Sequence, residues 1–242
     1  MAIHLVKEKI VLVSEIFKAT QGEGMHIGKA TVFIRTGGCD YRCSWCDTLY
    51  AVLPEYSSEW KPMTPMEIFI AVEEIAGEDI MVTLSGGNPA MQKNLGAVIS
   101  LLQTHNHHVT IETQGTVFPQ WATLLNSITL SPKPPSSDME FNSIQLERWI
   151  LAAEKVAIPY CLKVVIANDT DYEWARRLYG LYPDAPFYLQ VCNVEAHESV
   201  VSRGELLEDL GNLQDKVLKD HWYDAIVLPQ LHVLVHGNKR GV

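Results

Sequence analysis

Three thiols fall within eight residues of the segment Gly37-Gly38-Cys39-Asp40-Tyr41-Arg42-Cys43-Ser44-Trp45-Cys46-Asp47. The spacing C-x3-C-x2-C lets three sulfurs converge on one metal centre from a short loop. Structural zinc takes four protein ligands, commonly as two close pairs. No fourth Cys or His is at hand, since His26 precedes the loop by a strand and His105 lies far downstream. Three thiolates suit a 4Fe–4S cluster instead, held so that one iron stays open to a small molecule. The chain has five cysteines, and the other two, Cys161 and Cys192, stand alone in apolar segments. They read as small buried hydrophobes. An odd, clustered set is not a secreted disulfide framework, and close thiols in a reducing compartment point to metal or redox chemistry.

A second group of residues suited to ligand work is Ser85-Gly86-Gly87-Asn88-Pro89. Glycines there let the backbone approach a ligand and expose its N–H and C=O groups, although a lone Gly-Gly turn is more often a plain connection. Further polar motifs are Glu112-Thr113-Gln114-Gly115-Thr116 and Ser131-Pro132-Lys133, with Gln190 inside an apolar run. His105, His107 and His108 read as solvated turn residues.

The elements that must position these groups follow from hydrophobic periodicity. Apolar, β-branched runs over residues 10–17, 30–36, 80–84, 108–112, 127–130, 162–167, 186–191 and 225–228 predict strands. Helical periods cover residues 64–76, 93–102, 143–154, 171–181 and 204–219. Thr64, Pro65 and Glu67 form the cap, first-turn proline and capping-box pattern of a helix start. Strand and helix in alternation predict βα units and a mainly parallel sheet. In such sheets, sites form at the carboxyl ends of the strands, and each polar motif above directly follows or ends a strand. The proline-rich stretch 131–138 reads as a loop within one domain spanning residues 1–242, because both flanks continue the same rhythm.

The cysteine loop, with aromatic Trp45 just before its last Cys, resembles the signature of the radical S-adenosylmethionine (SAM) superfamily. Ser85–Pro89 resembles that superfamily's Gly-Gly-Glu-Pro element, with Asn88 where Glu is usual. The resemblance implies an α/β fold, a partial TIM-like barrel of parallel strands. It also implies that a cluster electron cleaves SAM to a 5′-deoxyadenosyl radical that abstracts a substrate hydrogen. Thr20-Gln21-Gly22-Glu23-Gly24, Arg35, Asp47-Thr48, Glu112–Thr116, Ser131-Pro132-Lys133-Pro134-Pro135, Pro229-Gln230-Leu231-His232 and Gly237-Asn238-Lys239-Arg240-Gly241-Val242 narrow this further. Over residues 15–242 the chain resembles the 7-carboxy-7-deazaguanine synthase family, and its Bacillus-type members most closely.

That family converts 6-carboxy-5,6,7,8-tetrahydropterin to 7-carboxy-7-deazaguanine with loss of ammonia, in the biosynthesis of queuosine and other 7-deazapurines. The resemblance implies a 4Fe–4S cluster on Cys39, Cys43 and Cys46, SAM, and Mg2+ on Thr48, with Asp47 ordering the metal's waters. SAM would meet Gly87, Asn88, Glu112, Ser131, Pro132, Lys133, Gln190, Val191, Cys192 and Asn193. The pterin would meet Thr20, Gln21, Gly22, Arg35, Ser85 and the terminal carboxylate of Val242. A flavodoxin- or ferredoxin-type reductant and a homodimer are the expected partners. Two rival readings share parts of the pattern: a radical SAM activase of a glycyl radical enzyme, and a non-catalytic zinc-binding module. The first lacks the further ferredoxin-type cysteine sets that many activases carry, and the second lacks a fourth ligand.

Bulk composition fits an enzyme of this kind. Over 242 residues, 47% hydrophobic content can bury a sizeable core, and a net charge of −10 argues against a nucleic-acid binder. No apolar run reaches membrane-spanning length, and residues 1–10 lack a signal-peptide pattern. The expected location is the cytoplasm.

Overall fold

The computed structural model describes residues 9–198 and 201–242; most of the 1–10 segment read for a signal pattern lies outside them. One nine-stranded sheet runs in the order β3-β1-β2-β4-β5-β6-β7-β8-β9. Its strands are β1 (Val11–Thr20), β2 (Ala30–Thr36), β3 (Lys61–Met63), β4 (Met81–Gly86), β5 (His108–Thr113), β6 (Ser127–Leu130), β7 (Tyr160–Ile166), β8 (Phe187–Val191) and β9 (Ala225–Leu228). From β2 onward, leaving out β3, every neighbour pairs in parallel, while β1 pairs antiparallel with both β2 and β3. β3 and β9 are open edges, so the parallel strands form a partial barrel.

The helices are α1 (Leu49–Val52), α2 (Pro65–Ala76), α3 (Leu95–Thr104), α4 (Ser143–Lys155), α5 (Asp169–Leu181), α6 (Arg203–Lys219) and α7 (Leu231–His236). α2 begins as its sequence dictates. The Thr64 hydroxyl accepts from Glu67 N–H, and the Glu67 carboxylate accepts from Thr64 N–H. Helix α5 starts two residues earlier than expected because Asn168 caps it, accepting from Asp171 N–H. α3 starts two residues later than expected, after Asn94.

Parallel sheets covered on both faces carry nearly continuous apolar strands, but these strands alternate. Val82, Leu84, Val109, Ile111, Ile128, Leu130, Leu162, Val164, Leu189 and Val191 join the buried core beneath the helices. Between them stand Thr83, Ser85, Thr110, Glu112, Ser127, Thr129, Lys163 and Gln190, on the opposite, inner face. The alternation exists because the inner face builds a polar cleft instead of a second core.

Several expectations are corrected. β1 extends to Thr20, and β3 was not foreseen, since a three-residue strand containing Pro62 carries no periodic signal. The histidines are not solvated turn residues as a group. His107 is 2% exposed, with Nε2 2.6 Å from Glu73 Oε1, and His108 opens β5. Cys161 and Cys192 are buried as expected, and Val233 of α7 is buried as well. No helix among the described residues is long and apolar enough to cross a membrane.

Candidate active site

The cysteine loop leaves the carboxyl end of β2 and is fixed from several sides. Gly38 N–H donates to Ala51 O at 2.7 Å, and Asn88 N–H donates to Gly38 O at 2.9 Å. Gln114 Nε2 donates to Asp40 Oδ1 at 2.8 Å and lies 3.4 Å from Cys39 Sγ. Trp45 Nε1 donates to Ser136 Oγ at 3.0 Å, and Ser44 N–H to Ser137 O at 3.1 Å. The loop is thereby stitched to the turns after β4, β5 and β6. Two glycines make the close approach possible: a Cβ on Gly86 would fall on the Thr36 backbone, and one on Gly87 on the Gly38 carbonyl. Only glycine fits at either position.

Cys39, Cys43 and Cys46 are all unpaired and half-buried. Burial is the main influence pushing their thiols up, Cys46 to about 12 with Asp47 adding to it. Such thiols bind metal as thiolates with release of protons. Three free sulfurs on one braced loop fit a cluster that keeps one iron free of protein.

Beside the loop lies a cleft of about 820 Å3, open to solvent and lined by residues of β1, β2, β4, β5, β7 and the C-terminal segment. Strand register brings Arg35 directly opposite Ser85. Deeper in, Gln21 Nε2 donates to Glu112 Oε1 at 3.2 Å, and Gln230 Nε2 to Glu23 Oε1 at 2.9 Å. The Lys163 ammonium donates to Glu23 Oε2. Burial alone would raise the Glu23 carboxyl, but Lys163 and His232 outweigh it and hold Glu23 well below the ordinary range. Glu112 goes the other way: burial raises it, helped by the Glu23 charge and only partly offset by Lys163. Lys163 would be lowered by burial, yet Glu23 and Glu112 together raise it and keep it cationic. The floor therefore holds one fixed cation, one fixed anion and one carboxyl biased toward its neutral form.

At the rim, Thr48 occupies the N-cap position of α1 but its side chain caps nothing. Its hydroxyl donates instead to Asp47 Oδ1 at 2.6 Å. Glu23, Asp47 and His232 offer ligand atoms within 4.8 Å of one another here. With the Thr48 hydroxyl this is a mainly oxygen-donor corner, the chemistry a hard divalent cation seeks.

Thr20, Gln21, Gly22, Arg35, Ser85 and Val242 all line the cleft, as do Thr48, Gly87, Glu112, Ser131 and Lys133. Cys192 and Asn193 line an adjoining cleft of about 410 Å3 with Trp45 and Lys133. Gln190 stands on the inner face of β8 with both amide atoms buried and without a hydrogen-bond partner among the described residues. Val191 points the other way, into the core, and Pro132 is buried outside the cleft lining. Asn88 is also held away. Its Nδ2 donates to Asp40 Oδ1 at 2.8 Å and Thr116 Oγ1 at 3.1 Å, while its Oδ1 accepts from Thr113 Oγ1 and Ala90 N–H. Every polar atom of that side chain is spent on bracing the loop.

Glu23, Lys163, His232 and Gln230 were not singled out by the sequence reading as site residues. For Lys163 a signal existed: a lone cation inside Cys161-Leu162-Lys163-Val164-Val165-Ile166. Such a residue is buried only when paired.

Comparison with known proteins agrees with this geometry. The Radical SAM superfamily model matches residues 33–131, which hold the cysteine loop and the Gly86-Gly87 turn. A 7-carboxy-7-deazaguanine synthase of Bacillus subtilis is 45% identical over 97% of this chain and 99% of the relative. One from Bacillus cereus is 42% identical over 95% and 98%. Among solved structures, QueE from Escherichia coli superposes with a TM-score of 0.66 over 92% of this chain and 95% of that one. At 20% sequence identity, that likeness speaks for the fold. Identity at this level along nearly the whole length of both chains, together with the three-thiol loop, makes this chain a member of the 7-carboxy-7-deazaguanine synthase family of radical SAM enzymes.

Proposed function

We infer that the chain is a carbon–nitrogen lyase that contracts the ring of 6-carboxy-5,6,7,8-tetrahydropterin to 7-carboxy-7-deazaguanine with loss of ammonia, in queuosine biosynthesis. The observation that carries this reading is one cleft running from Asp47 and Thr48, where the three-thiol loop ends, to the Arg35 fork and the Glu23–Lys163–Glu112 floor. When bound, the 4Fe–4S cluster and SAM supply the hydrogen-abstracting chemistry, which belongs to the cofactors.

The residues then divide the work. Cys39, Cys43 and Cys46 hold the cluster. Arg35 presents a planar fork suited to the pterin carboxylate, and Ser85 stands beside it with a hydroxyl. Gln21 offers amide groups to the pterin edge, and Glu112, whose carboxyl is pushed up by burial, stands beside it as one of the expected SAM contacts. Thr48 would offer its hydroxyl oxygen to a bound Mg2+, with Asp47 ordering the metal's waters, and the ion would supply positive charge for the substrate carboxylate. Lys133 lies 5.7 Å from the Trp45 ring and 3.1 Å from Ser131 Oγ; it places a cation beside the site for the SAM carboxylate. The Gln190 amide, without a partner among the described residues, would join Cys192 and Asn193 in offering polar groups to the remainder of SAM. With SAM and the pterin bound, the cleft walls and the C-terminal segment would limit water's access to the reacting centre.

The substrate partner is a small molecule. A flavodoxin- or ferredoxin-type protein delivers the electron, two copies form a homodimer, and the enzyme works in the cytoplasm as a single domain over residues 1–242. The test is an anaerobic assay of the reconstituted protein with SAM, a reductant, Mg2+ and the carboxypterin. Release of ammonia and a product of the mass of 7-carboxy-7-deazaguanine supports the reading. SAM cleavage with no turnover of that pterin refutes it.

A further inference from the structure

One carboxylate outside the cleft lining touches two of the elements that build it, β2 and the C-terminal segment, and α1 beside them. Glu15 lies on β1 just after a break in register between Val13 and Glu15, and the shift sets it opposite Arg35 on β2. Such irregularities re-aim side chains. Glu15 Oε1 accepts from Arg35 Nε at 2.8 Å and from the Tyr50 hydroxyl at 2.9 Å. Glu15 Oε2 accepts from Arg240 Nε at 3.2 Å. The Arg240 guanidinium also lies 3.9 Å from the centre of the Tyr50 ring, and its Nη1 is 3.3 Å from Glu59 Oε2.

The two oxygens face different duties. Through Oε1, Glu15 takes the Nε of Arg35, which is the only Arg35 side-chain nitrogen with a hydrogen-bond partner among the described residues. The two terminal nitrogens of the fork are left for a ligand carboxylate. Through Oε2 it holds Arg240, two residues before Val242, which lines the cleft. Other ties set the same segment down: Leu231 N–H donates to Gly22 O at 3.1 Å, and Asn193 Nδ2 to Asn238 Oδ1 at 2.8 Å. Arg240 is nonetheless the only one of these contacts within the last three residues. Side chains of Glu15 and Arg35 are each 16% exposed, so their charge-assisted bond is shielded from water on most sides.

We propose that Glu15 is a positioning residue for substrate binding, setting the Arg35 fork and the terminal segment that carries Val242 as one unit. The closed tail and the oriented fork are then coupled through a single carboxylate, with Tyr50 of α1 packed between the two arginines. This rests on the reading that Arg35 and Val242 meet the pterin.

The experiment uses reconstituted full-length holoenzyme carrying Glu15→Gln, Arg240→Gln, both together, and Arg35→Gln as a reference. Glu15→Gln and Arg240→Gln should each raise the KM for the carboxypterin about tenfold, the size of one charge-assisted hydrogen bond, with little change in kcat. The double variant should be no worse than Glu15→Gln alone, and hydrogen exchange in the last six residues should rise in both single variants. Parental KM in both singles, or multiplying effects in the double, overturns the proposal. Arg240 is 42% exposed, so its variant carries the test should Glu15→Gln fold poorly. If Arg35→Gln itself leaves KM unchanged, the reading of the cleft fails. A raised KM there beside parental values in the other two condemns only the role of Glu15.

Discussion

The Lys163 ammonium bonds to the Glu23 carboxylate in the floor of the cleft, joining β7 to the loop after β1. Lys163 is buried, Glu23 is only slightly exposed, and Glu112 faces the same cation. Buried ion pairs add little stability over apolar packing, but breaking one leaves an uncompensated charge. The cleft floor is thus a committed arrangement, kept for what it does to a ligand above it.

Lys163→Met should therefore destabilise the chain by about 3–5 kcal/mol, since Glu23 and Glu112 would be left together without their cation. Denaturant titration of the parent and the variant reads this directly. A loss below about 1 kcal/mol, the range of exposed pairs, would show the floor to be wetter than its burial implies.

Thr48→Ala should weaken the response to Mg2+ while leaving the cluster absorbance unchanged. The hydroxyl sits in the oxygen-donor corner and makes no cap for α1, so its removal touches the metal without melting a helix. Titrating activity with Mg2+ after chelation measures this, and an identical titration curve in the variant would remove Thr48 from the metal site.

Asn88→Glu, a return to the residue usual at this place in the superfamily, should loosen the cysteine loop. The Asn88 amide donates to Asp40 and Thr116, and a carboxylate would present no donor and would repel Asp40. The cost should be about 1–3 kcal/mol for the groups left unsatisfied, with faster loss of iron on dilution. A variant as stable and as slow to lose iron as the parent would show that this network does not brace the loop.

Acid should destabilise the barrel floor through two histidines. His26 Nε2 and His108 Nε2 both meet Ser127 Oγ, at 2.8 and 3.0 Å. Burial first, then nearby cations, lowers both below their usual 6.5. The unfolded chain then binds more protons than the folded one, so this contribution is present above about pH 6.5 and is lost as pH falls below it. Melting curves across that range should show a shallower pH slope for His108→Gln than for the parent. Equal slopes would contradict the assignment.

What the sequence made legible is what is local in it. The cysteine loop, the Gly86-Gly87 turn and the Thr64 capping box each lie within about a dozen residues, and each stands where periodicity put it. The alternation of β4 to β8 was readable as strand but not as a one-sided polar interior, because that distinction depends on how the sheet curves. Lys163 and Glu23 are 140 positions apart, and nothing in either segment names the other. His107 looked like a turn residue among polar neighbours, whereas its burial comes from packing beneath Glu73 of α2. Asn88 was legible as a departure from a motif. Its occupation by Asp40, Thr113 and Thr116 emerged only when three loops met.

The most direct measurement is Mössbauer spectroscopy of the anaerobically reconstituted, iron-57-labelled protein with and without SAM. Cys39, Cys43 and Cys46 as the sole protein ligands predict a 4Fe–4S cluster with one distinct iron whose signal shifts when SAM is added. Zinc in place of iron, or a cluster whose irons all ignore SAM, would contradict the three-thiolate site.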